Sequence, residues 1–287
     1  MLEMLLAAGL LLQPVTKSPK EALPSRAPAV QASPPGGERA PFRPEVNGFG
    51  FVNSFRGTPV PAAIRSNPLM KGIAEAAMGD AMPATFGLCG GMSLAAADFY
   101  IVNRGVPADV TPPERGALRE YLELRQLQSL GPAAIMATKF LEWMAAPDAG
   151  ATGTRVRTAN ELEAIQASLK RWGVAPVGLV YVRTPGNSSA RGQVGSLWEN
   201  HQVLAYSVSQ PSGGELVFQV YDPNYPKRVV SLRLKPTDDE RGPRGYTCTL
   251  EPAGRSARAV RGVFAMPYAP QTPPPMDAEP AKGEKSP

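Results

Sequence analysis

The sequence contains very little cysteine and histidine. Its 287 residues include two cysteines, Cys89 and Cys248, and one histidine, His201. Two cysteines form at most one disulfide, which excludes the disulfide-stapled scaffolds of small secreted proteins. One histidine and two cysteines far apart in the chain also lack the closely spaced ligand pairs of a structural zinc site. We therefore expect no metal and no cofactor, and we expect Cys248 to be a reduced core residue.

Long apolar runs and blocks of like charge are also missing. Residues 4–12 form a short apolar run, but it is too short to span a membrane, an acid precedes it, and no small-residue cleavage site follows. A degenerate signal peptide and a small docking helix both fit this run, and no further feature supports membrane contact. The net charge of +5 comes from scattered Lys and Arg, which gives no support for nucleic-acid binding.

The 32 prolines are concentrated toward the two ends of the chain. This distribution predicts an apolar segment and a disordered Pro-rich arm over residues 1–44, one folded domain over 45–268, and a disordered tail over 269–287. The cellular compartment stays open between two alternatives. A reactive thiol without disulfides fits a reducing cytoplasm, whereas the apolar run with its arm fits an exported or anchored protein.

The hydrophobic period changes from helical to strand-like at about Gly173. Three helices are predicted after the one that follows Cys89. They run from about Pro112 to Ser129, from Ile135 to Pro147, and from a capping pattern at Thr158 to Trp172. Strands are predicted over residues 177–183, 201–208, 215–221, 229–234, 245–250 and 261–266. Helices followed by an antiparallel sheet define an α+β domain.

Cys89 lies between a glycine-rich turn and an apolar helix that begins near Met92. Unpaired backbone N–H groups and the positive end of the helix dipole stabilise a thiolate over a thiol at such a position. Gly90 and Gly91 leave the sulfur uncovered and allow a backbone or a substrate to approach closely. The alternative is a small buried cysteine with a packing role only.

His201 begins the most regular predicted strand, so it should lie at the rim of the sheet, where functional sites are common. The next strand ends at Asp222, and an antiparallel hairpin returns that carboxylate to the side of the imidazole. A nucleophile at a helix start, a base on a strand and an acid on the following strand are the parts of covalent acyl-transfer catalysis. Asn224 is the alternative orienting residue if Asp222 points away.

Three short stretches resemble the papain-like cysteine peptidases in order and spacing. They are residues 87–92 before a helix, residues 176–180, and residues 200–206 at the start of a strand. The resemblance implies a papain-like fold, with the nucleophile on a central helix of the helical half and an antiparallel sheet in the C-terminal half.

The same resemblance implies catalytic roles for Cys89, His201 and Asp222. An acid followed by proline is similar to the bacterial branches that include the bacteriocin leader-processing peptidases. The family's oxyanion glutamine, usually several residues before the cysteine, is missing from residues 79–88. Asn53 is the candidate for that second donor, against the alternative of a turn residue that bonds its own backbone. Trp198 is the candidate for shielding the histidine and the acid from water, although a loop tryptophan can also simply anchor the core.

Three other acids are alternative candidates for the orienting group. Asp98 and Glu123 are expected on solvated helix faces, and Glu199 is expected to point along the loop before His201. The function that follows is a thiol-dependent hydrolase that cleaves amide bonds, either peptide or isopeptide, of a peptide or protein substrate through a thioester. The alternatives are a non-catalytic binding module on the same fold and an acyl or amide transferase that uses the same triad.

Overall fold

The computed structural model describes residues 39–56, 85–131, 135–184, 196–237 and 244–276, all within one compact unit over residues 32–287. The predictions for residues 1–38 and 277–287 lie outside these ranges. The helices are α1 (Pro44–Asn47), α2 (Cys89–Ile101), α3 (Ala117–Ser129), α4 (Ile135–Ala145) and α5 (Thr154–Trp172). The strands are β1 (Phe55–Arg56), β2 (Thr85–Phe86), β3 (Ala175–Val180), β4 (His201–Ser209), β5 (Leu216–Tyr221), β6 (Val230–Thr237), β7 (Gly245–Pro252), β8 (Arg258–Val260) and β9 (Gly262–Ala265).

The helices precede the main sheet in the chain, which gives the α+β class predicted from the sequence. Seven antiparallel strands form this sheet in the order β8-β7-β6-β5-β4-β3-β9. Helix α5 packs against β9, β7, β3 and β4, and β7 also contacts β9 although four strands lie between these two in the sheet order. The sheet is therefore curled around one face of α5.

Helix α2 is buried on every side from its second residue to Tyr100. The sequence predicted one buried face only, because Met92, Ala95, Ala96 and Phe99 share a helical stripe. The structure packs α2 between α3 and β4, so both of its flanks are covered. Gly91 permits the close approach to α3, since a Cβ at this position would collide with the backbone carbonyl of Leu122.

Two predicted helix starts are wrong. Helix α3 begins at Ala117 and not near Pro112, and α5 begins at Thr154, four residues before the capping pattern. Thr158 lies inside α5, where its hydroxyl donates to the Thr154 carbonyl and accepts a hydrogen bond from the Val263 N–H of β9. The threonine that matches the capping pattern therefore makes a tertiary hydrogen bond inside the helix. The predicted end of α5 is confirmed, because Gly173 adopts the left-handed conformation with φ of 75°.

Both ends of the ordered fold extend beyond the predicted boundaries at residues 44 and 269. Phe42 is 2% exposed and packs in the core with Tyr100. At the other end, Arg104 donates to the carbonyls of Pro273 and Pro274, each at 2.8 Å. Proline-rich composition indicated disorder here, but these segments are held by side chains of α2 and of the loop that follows it. Within the described residues, no helix is long and apolar enough to cross a membrane.

Candidate active site

Cys89 is the first residue of α2, and its position is fixed by hydrogen bonds on both sides. The Leu88 N–H donates to Asn53 Oδ1 at 2.6 Å, and the Gly91 N–H donates to Gln126 Oε1 at 2.9 Å. Asn53 reaches the turn because β1 pairs with β2, which brings the chain before Phe55 next to the chain after Phe86. The Cys89 N–H has no carbonyl partner within the helix, as is general for the first turn.

The glycines around Cys89 serve close packing more than they expose the sulfur. A Cβ at Gly90 would collide with the Ser129 hydroxyl and lie 2.5 Å from Gln202 Oε1, and Gly90 itself is buried. At Gly87, a Cβ would lie 2.8 Å from Asn53 Nδ2. The sequence predicts that the glycine pair lets a backbone or a substrate approach closely. The structure has the approach of a backbone at Gly91, from Leu122, and it fills the space at Gly90 with the Ser129 and Gln202 side chains.

His201 and Asp222 are in direct contact, as the hairpin pattern predicted. Strands β4 and β5 are antiparallel neighbours with Leu204 opposite Tyr221, which places the residue after Tyr221 beside the start of β4. His201 Nε2 lies 2.7 Å from Asp222 Oδ1, and the two residues are 6% and 0% exposed. The carboxylate therefore fixes the orientation of the imidazole in a site with little water.

Asn224 is also close to the histidine, but it does not replace the acid. Its backbone N–H donates to Asp222 Oδ1 at 2.8 Å, and its Nδ2 lies 3.2 Å from His201 Nε2. Its Oδ1 accepts a hydrogen bond from Asn53 Nδ2 at 3.2 Å. Asp222 makes the shorter contact and can accept the Nε2 proton, so it is the main partner of Nε2. The Asn224 amide nitrogen is itself a donor and cannot accept that proton, so Asn224 joins Asn53 to Asp222 and only lies beside the ring.

Cys89 and His201 line the same cleft, and the Cys89 side chain is one of the groups that raise the pKa of His201. Since Asp222 occupies Nε2, Nδ1 is the ring nitrogen left to face the sulfur. Burial on its own would lower the pKa of His201, but the charge and hydrogen bond of Asp222, together with the nearby Cys89, raise it to about 10. The imidazole is therefore held in its protonated form well above the ordinary pKa of 6.5.

Cys89 and His201 open into a cleft of about 600 Å³. Its walls combine amide side chains, aromatic and aliphatic side chains, one acid and one arginine. The lining residues are Asn53, Thr85, Phe86, Gly87, Cys89, Gln126, Leu130, Phe140, Leu197, Trp198, Glu199, Asn200, His201, Gln202, Asn224 and Arg258. Trp198 is 55% exposed at the wall, and Glu199 is exposed as well. The shielding role predicted for Trp198 stays a prediction.

Two acids are not where the sequence analysis placed them. Asp98 is 0% exposed and Glu123 is 4% exposed, although both were expected on solvated helix faces. Asp98 forms an ion pair with Arg125 at 2.8 Å, and Glu123 forms one with Arg119 at 2.7 Å. Buried cations thus compensate these carboxylates, and neither acid lines the cleft.

Sequence reasoning missed Gln126, Arg258 and Tyr181. Gln126 binds the first turn of α2 from the neighbouring helix, and Arg258 stacks on the Tyr181 ring at 3.6 Å beside the histidine and the acid. Only Gln126 carried a local signal, because it is a polar residue spaced four residues after Leu122 on the apolar face of α3. Arg258 and Tyr181 come together through the curl of the sheet, which no short-range pattern reveals.

No cluster of three or more His, Cys, Asp or Glu side chains suited to a metal ion occurs among the described residues. Comparison with protein-family models, with curated proteins and with solved structures gives no match. The assignment of function therefore depends on the geometry of the cleft.

Proposed function

We propose that this protein is a cysteine-dependent hydrolase that cleaves peptide or isopeptide amide bonds through a thioester intermediate. Cys89 is the nucleophile, His201 the acid and base, and Asp222 the residue that orients His201. The observation that carries the proposal is the buried contact of 2.7 Å between Asp222 and His201 Nε2, with Cys89 lining the same cleft as His201 at the start of a buried helix. A nucleophile, a base that activates it and an acid that orients the base are the groups that nucleophilic acyl transfer requires.

The first half of the reaction forms the thioester. The Cys89 thiolate attacks the carbonyl carbon of the substrate amide, and the carbonyl oxygen becomes an oxyanion. The protonated His201 then gives its proton to the leaving nitrogen, the carbon–nitrogen bond breaks, and the amine departs. The raised pKa of His201 supports this step, because the ring still carries its proton at neutral pH.

The second half of the reaction releases the acid. His201, now neutral, takes a proton from a water molecule that attacks the thioester carbon. The carbon–sulfur bond breaks, the carboxylic acid leaves, and Cys89 and His201 return to the thiolate and imidazolium forms. Asp222 holds the tautomer of the imidazole throughout.

Asn53 and the Cys89 N–H are the proposed donors to the oxyanion. Asn53 Oδ1 is held by the Leu88 N–H, and one N–H of its amide is directed at Asn224. The second N–H of this amide has no partner among the described residues, and we assign it to the substrate oxygen in the cleft that Asn53 lines together with Cys89. An asparagine amide in such a hole contributes about 10²–10³ in rate.

The papain-like fold is part of the same proposal. A buried nucleophile helix beside a curled antiparallel sheet, with the base at the start of one strand and the acid after the next, supports it. The same fold with an unreactive thiol would be a binding module, so the reactivity of the Cys89 thiol decides between a hydrolase and a binding module.

The test combines thiol labelling with turnover. At pH 6, iodoacetamide should label Cys89 much faster than Cys248, which is 4% exposed and whose pKa is raised to about 12 by burial. A mixture of internally quenched fluorescent peptides should be cleaved by the wild-type protein and by Cys248→Ala, but not by Cys89→Ala. Cys248→Ala is the matched control because it removes the same atoms from a site outside the cleft.

Labelling that is no faster at Cys89 than at Cys248 would favour the binding module. Cleavage by Cys89→Ala at the wild-type rate would exclude the thioester mechanism. Circular dichroism of both variants checks that each retains the fold.

A further inference from the structure

Arg258 is a cation fixed at the wall of the cleft. Its guanidinium carbon lies 3.6 Å from the centre of the Tyr181 ring, which is a close stacking contact. Tyr181 in turn lies near enough to Asp222 and Cys89 for both to act on its pKa, which burial raises above the ordinary value. Stacking therefore holds the arginine beside the catalytic groups, although its side chain belongs to the short edge strand β8.

Arg258 has no carboxylate partner within the part of the chain that the structure describes. The other arginines of the second half that carry ion pairs, Arg233 and Arg261, have acids at 2.7 Å. Glu199 lines the same cleft, yet no ion pair joins it to Arg258 among the described residues. The guanidinium thus presents free N–H donors to the cleft, in the planar arrangement that matches a carboxylate.

The position of Arg258 relative to the sulfur indicates which part of a substrate it meets. In the proposed mechanism, His201 protonates the leaving nitrogen, so the leaving portion of the substrate lies on the histidine side of Cys89. Arg258 lies on this side, because the Tyr181 ring beneath it is held next to His201. The Tyr181 N–H donates to Asn200 Oδ1 at 3.0 Å, and Leu179, two residues before Tyr181, pairs with His201. The group it meets is therefore on the amine side of the scissile bond.

We infer that Arg258 binds a carboxylate of the substrate on the leaving-group side, and that the cleft selects substrates with an acidic group there. This inference rests on the proposed function for the direction of the substrate. A carboxylate can come from an acidic side chain or from the free C-terminus of a peptide. The chemistry is the same in both cases, so the experiment separates the two sources.

Binding is measured on Cys89→Ala, which cannot turn a substrate over. Three fluorescein-labelled hexapeptide mixtures are compared by fluorescence polarisation, with all positions other than the fifth randomised among uncharged residues. The first carries Glu at the fifth position and a C-terminal amide, the second Gln and an amide, and the third Gln and a free C-terminal carboxylate. The Glu mixture or the free-acid mixture should bind about tenfold more tightly than the uncharged one, as a charge-assisted hydrogen-bond pair allows.

The preference should disappear in Arg258→Gln on the same Cys89→Ala background and decrease in Arg258→Lys, which keeps the charge but loses the planar fork. Arg255→Gln is the matched control. It removes the same charge from an exposed residue that is close in sequence but does not line the cleft, and it should leave the preference unchanged.

Preference for the Glu mixture identifies a side-chain carboxylate, and preference for the free-acid mixture identifies a C-terminus. Equal binding of the three mixtures, absence of measurable binding, or a preference that survives Arg258→Gln overturns the inference. The failure of the proposed function is a separate result. It appears as a wild-type protein that cleaves no peptide, whatever the outcome of the binding measurements.

Discussion

Two buried aspartates lie in different parts of the molecule and have different surroundings. Asp98, in α2, uses both carboxylate oxygens: Oδ2 accepts from Tyr121 at 2.7 Å, and Oδ1 accepts from Tyr268 at 3.1 Å and from the Gln271 N–H at 2.9 Å. Asp222, after β5, uses only Oδ1. Its Oδ2 is buried and has no hydrogen-bond partner among the described residues.

The difference in partners separates a structural acid from a functional one. Asp98 pairs with Arg125, which is charged at every relevant pH, so the pair can only hold parts of the chain together. Burial raises the pKa of Asp98 to about 6, against the opposing effects of Arg125 and of the donors around it. Asp222 pairs with a histidine, whose charge can change, and the Asp222 pair borders the cleft. Asp98, which accepts hydrogen bonds on both oxygens, is therefore the structural acid, here called the anchor. Asp222, whose partner can change its charge, is the acid of the candidate active site.

The largest expected effect is the loss of activity in Asp222→Asn. The amide keeps the size of the side chain but removes the charge that supports the imidazolium, so kcat should fall by about 10²–10⁴, the usual contribution of general acid–base catalysis. Kinetics with a peptide substrate measure this loss. Thermal unfolding serves as the control, because the folded protein should persist. A variant that retains wild-type turnover would assign the orienting role to Asn224 instead.

The opposite result is expected for Asp98, where a substitution should lower stability and leave activity unchanged. Asp98→Ala leaves Arg125 as an uncompensated buried charge, which should lower the free energy of unfolding by about 3–5 kcal/mol. Activity per folded molecule should stay near the wild-type value, since Asp98 does not line the cleft. Urea unfolding and active-site titration measure the two quantities. Loss of activity at full stability would remove the distinction between the two aspartates.

The part of the site that could be predicted from sequence is the part that local patterns encode. Alternating apolar residues and a short hairpin placed Asp222 next to His201, and the structure has that contact. The glycine turn before an apolar helix placed Cys89 at a helix start, which is also observed. These are consequences of strand and helix periods over a few residues.

The burial of Asp98 could not be predicted, because its partners are far away in the chain. Arg125 is 27 residues from Asp98, and Tyr268 is 170 residues from it. A polar residue in an amphipathic pattern is assigned to the solvent face unless its partner is known. The same reason explains why the segment from Ala269 onward was predicted to be disordered: its composition is typical of a tail, but the Ala269 carbonyl accepts from Arg125.

The titration of the single histidine should sharpen the comparison further. In untagged protein, the His201 ring signals should show no midpoint near 6.5, because the pKa of His201 is raised to about 10, so the ring loses its proton only as the pH rises toward that value. In Asp222→Asn the midpoint should fall by about 1–3 pH units. In Asp98→Asn it should not move. Proton NMR from pH 5 to 11 measures all three proteins.

The same shift has a consequence for stability. A histidine whose pKa is raised on folding contributes stability that is fully present below its unfolded pKa of 6.5 and is lost as the pH rises through about 10. The stability difference between wild type and Asp222→Asn should therefore be larger at pH 6 than at pH 10. A wild-type midpoint near 6.5 in the NMR titration would contradict the protonated imidazole on which the acid step depends.

The smallest expected effect concerns the C-terminal segment at the anchor. Tyr268→Phe removes one of several donors to Asp98 and keeps the ring that packs against Trp172. Because Tyr121, Arg125 and the Gln271 N–H still satisfy the carboxylate, the free energy of unfolding should fall by only about 0.5–1.5 kcal/mol, the net value of one hydrogen bond. Urea unfolding measures the change. A loss as large as that of Asp98→Ala would mean that Asp98 depends on each of its donors, and that the redundancy which separates it from Asp222 does not exist.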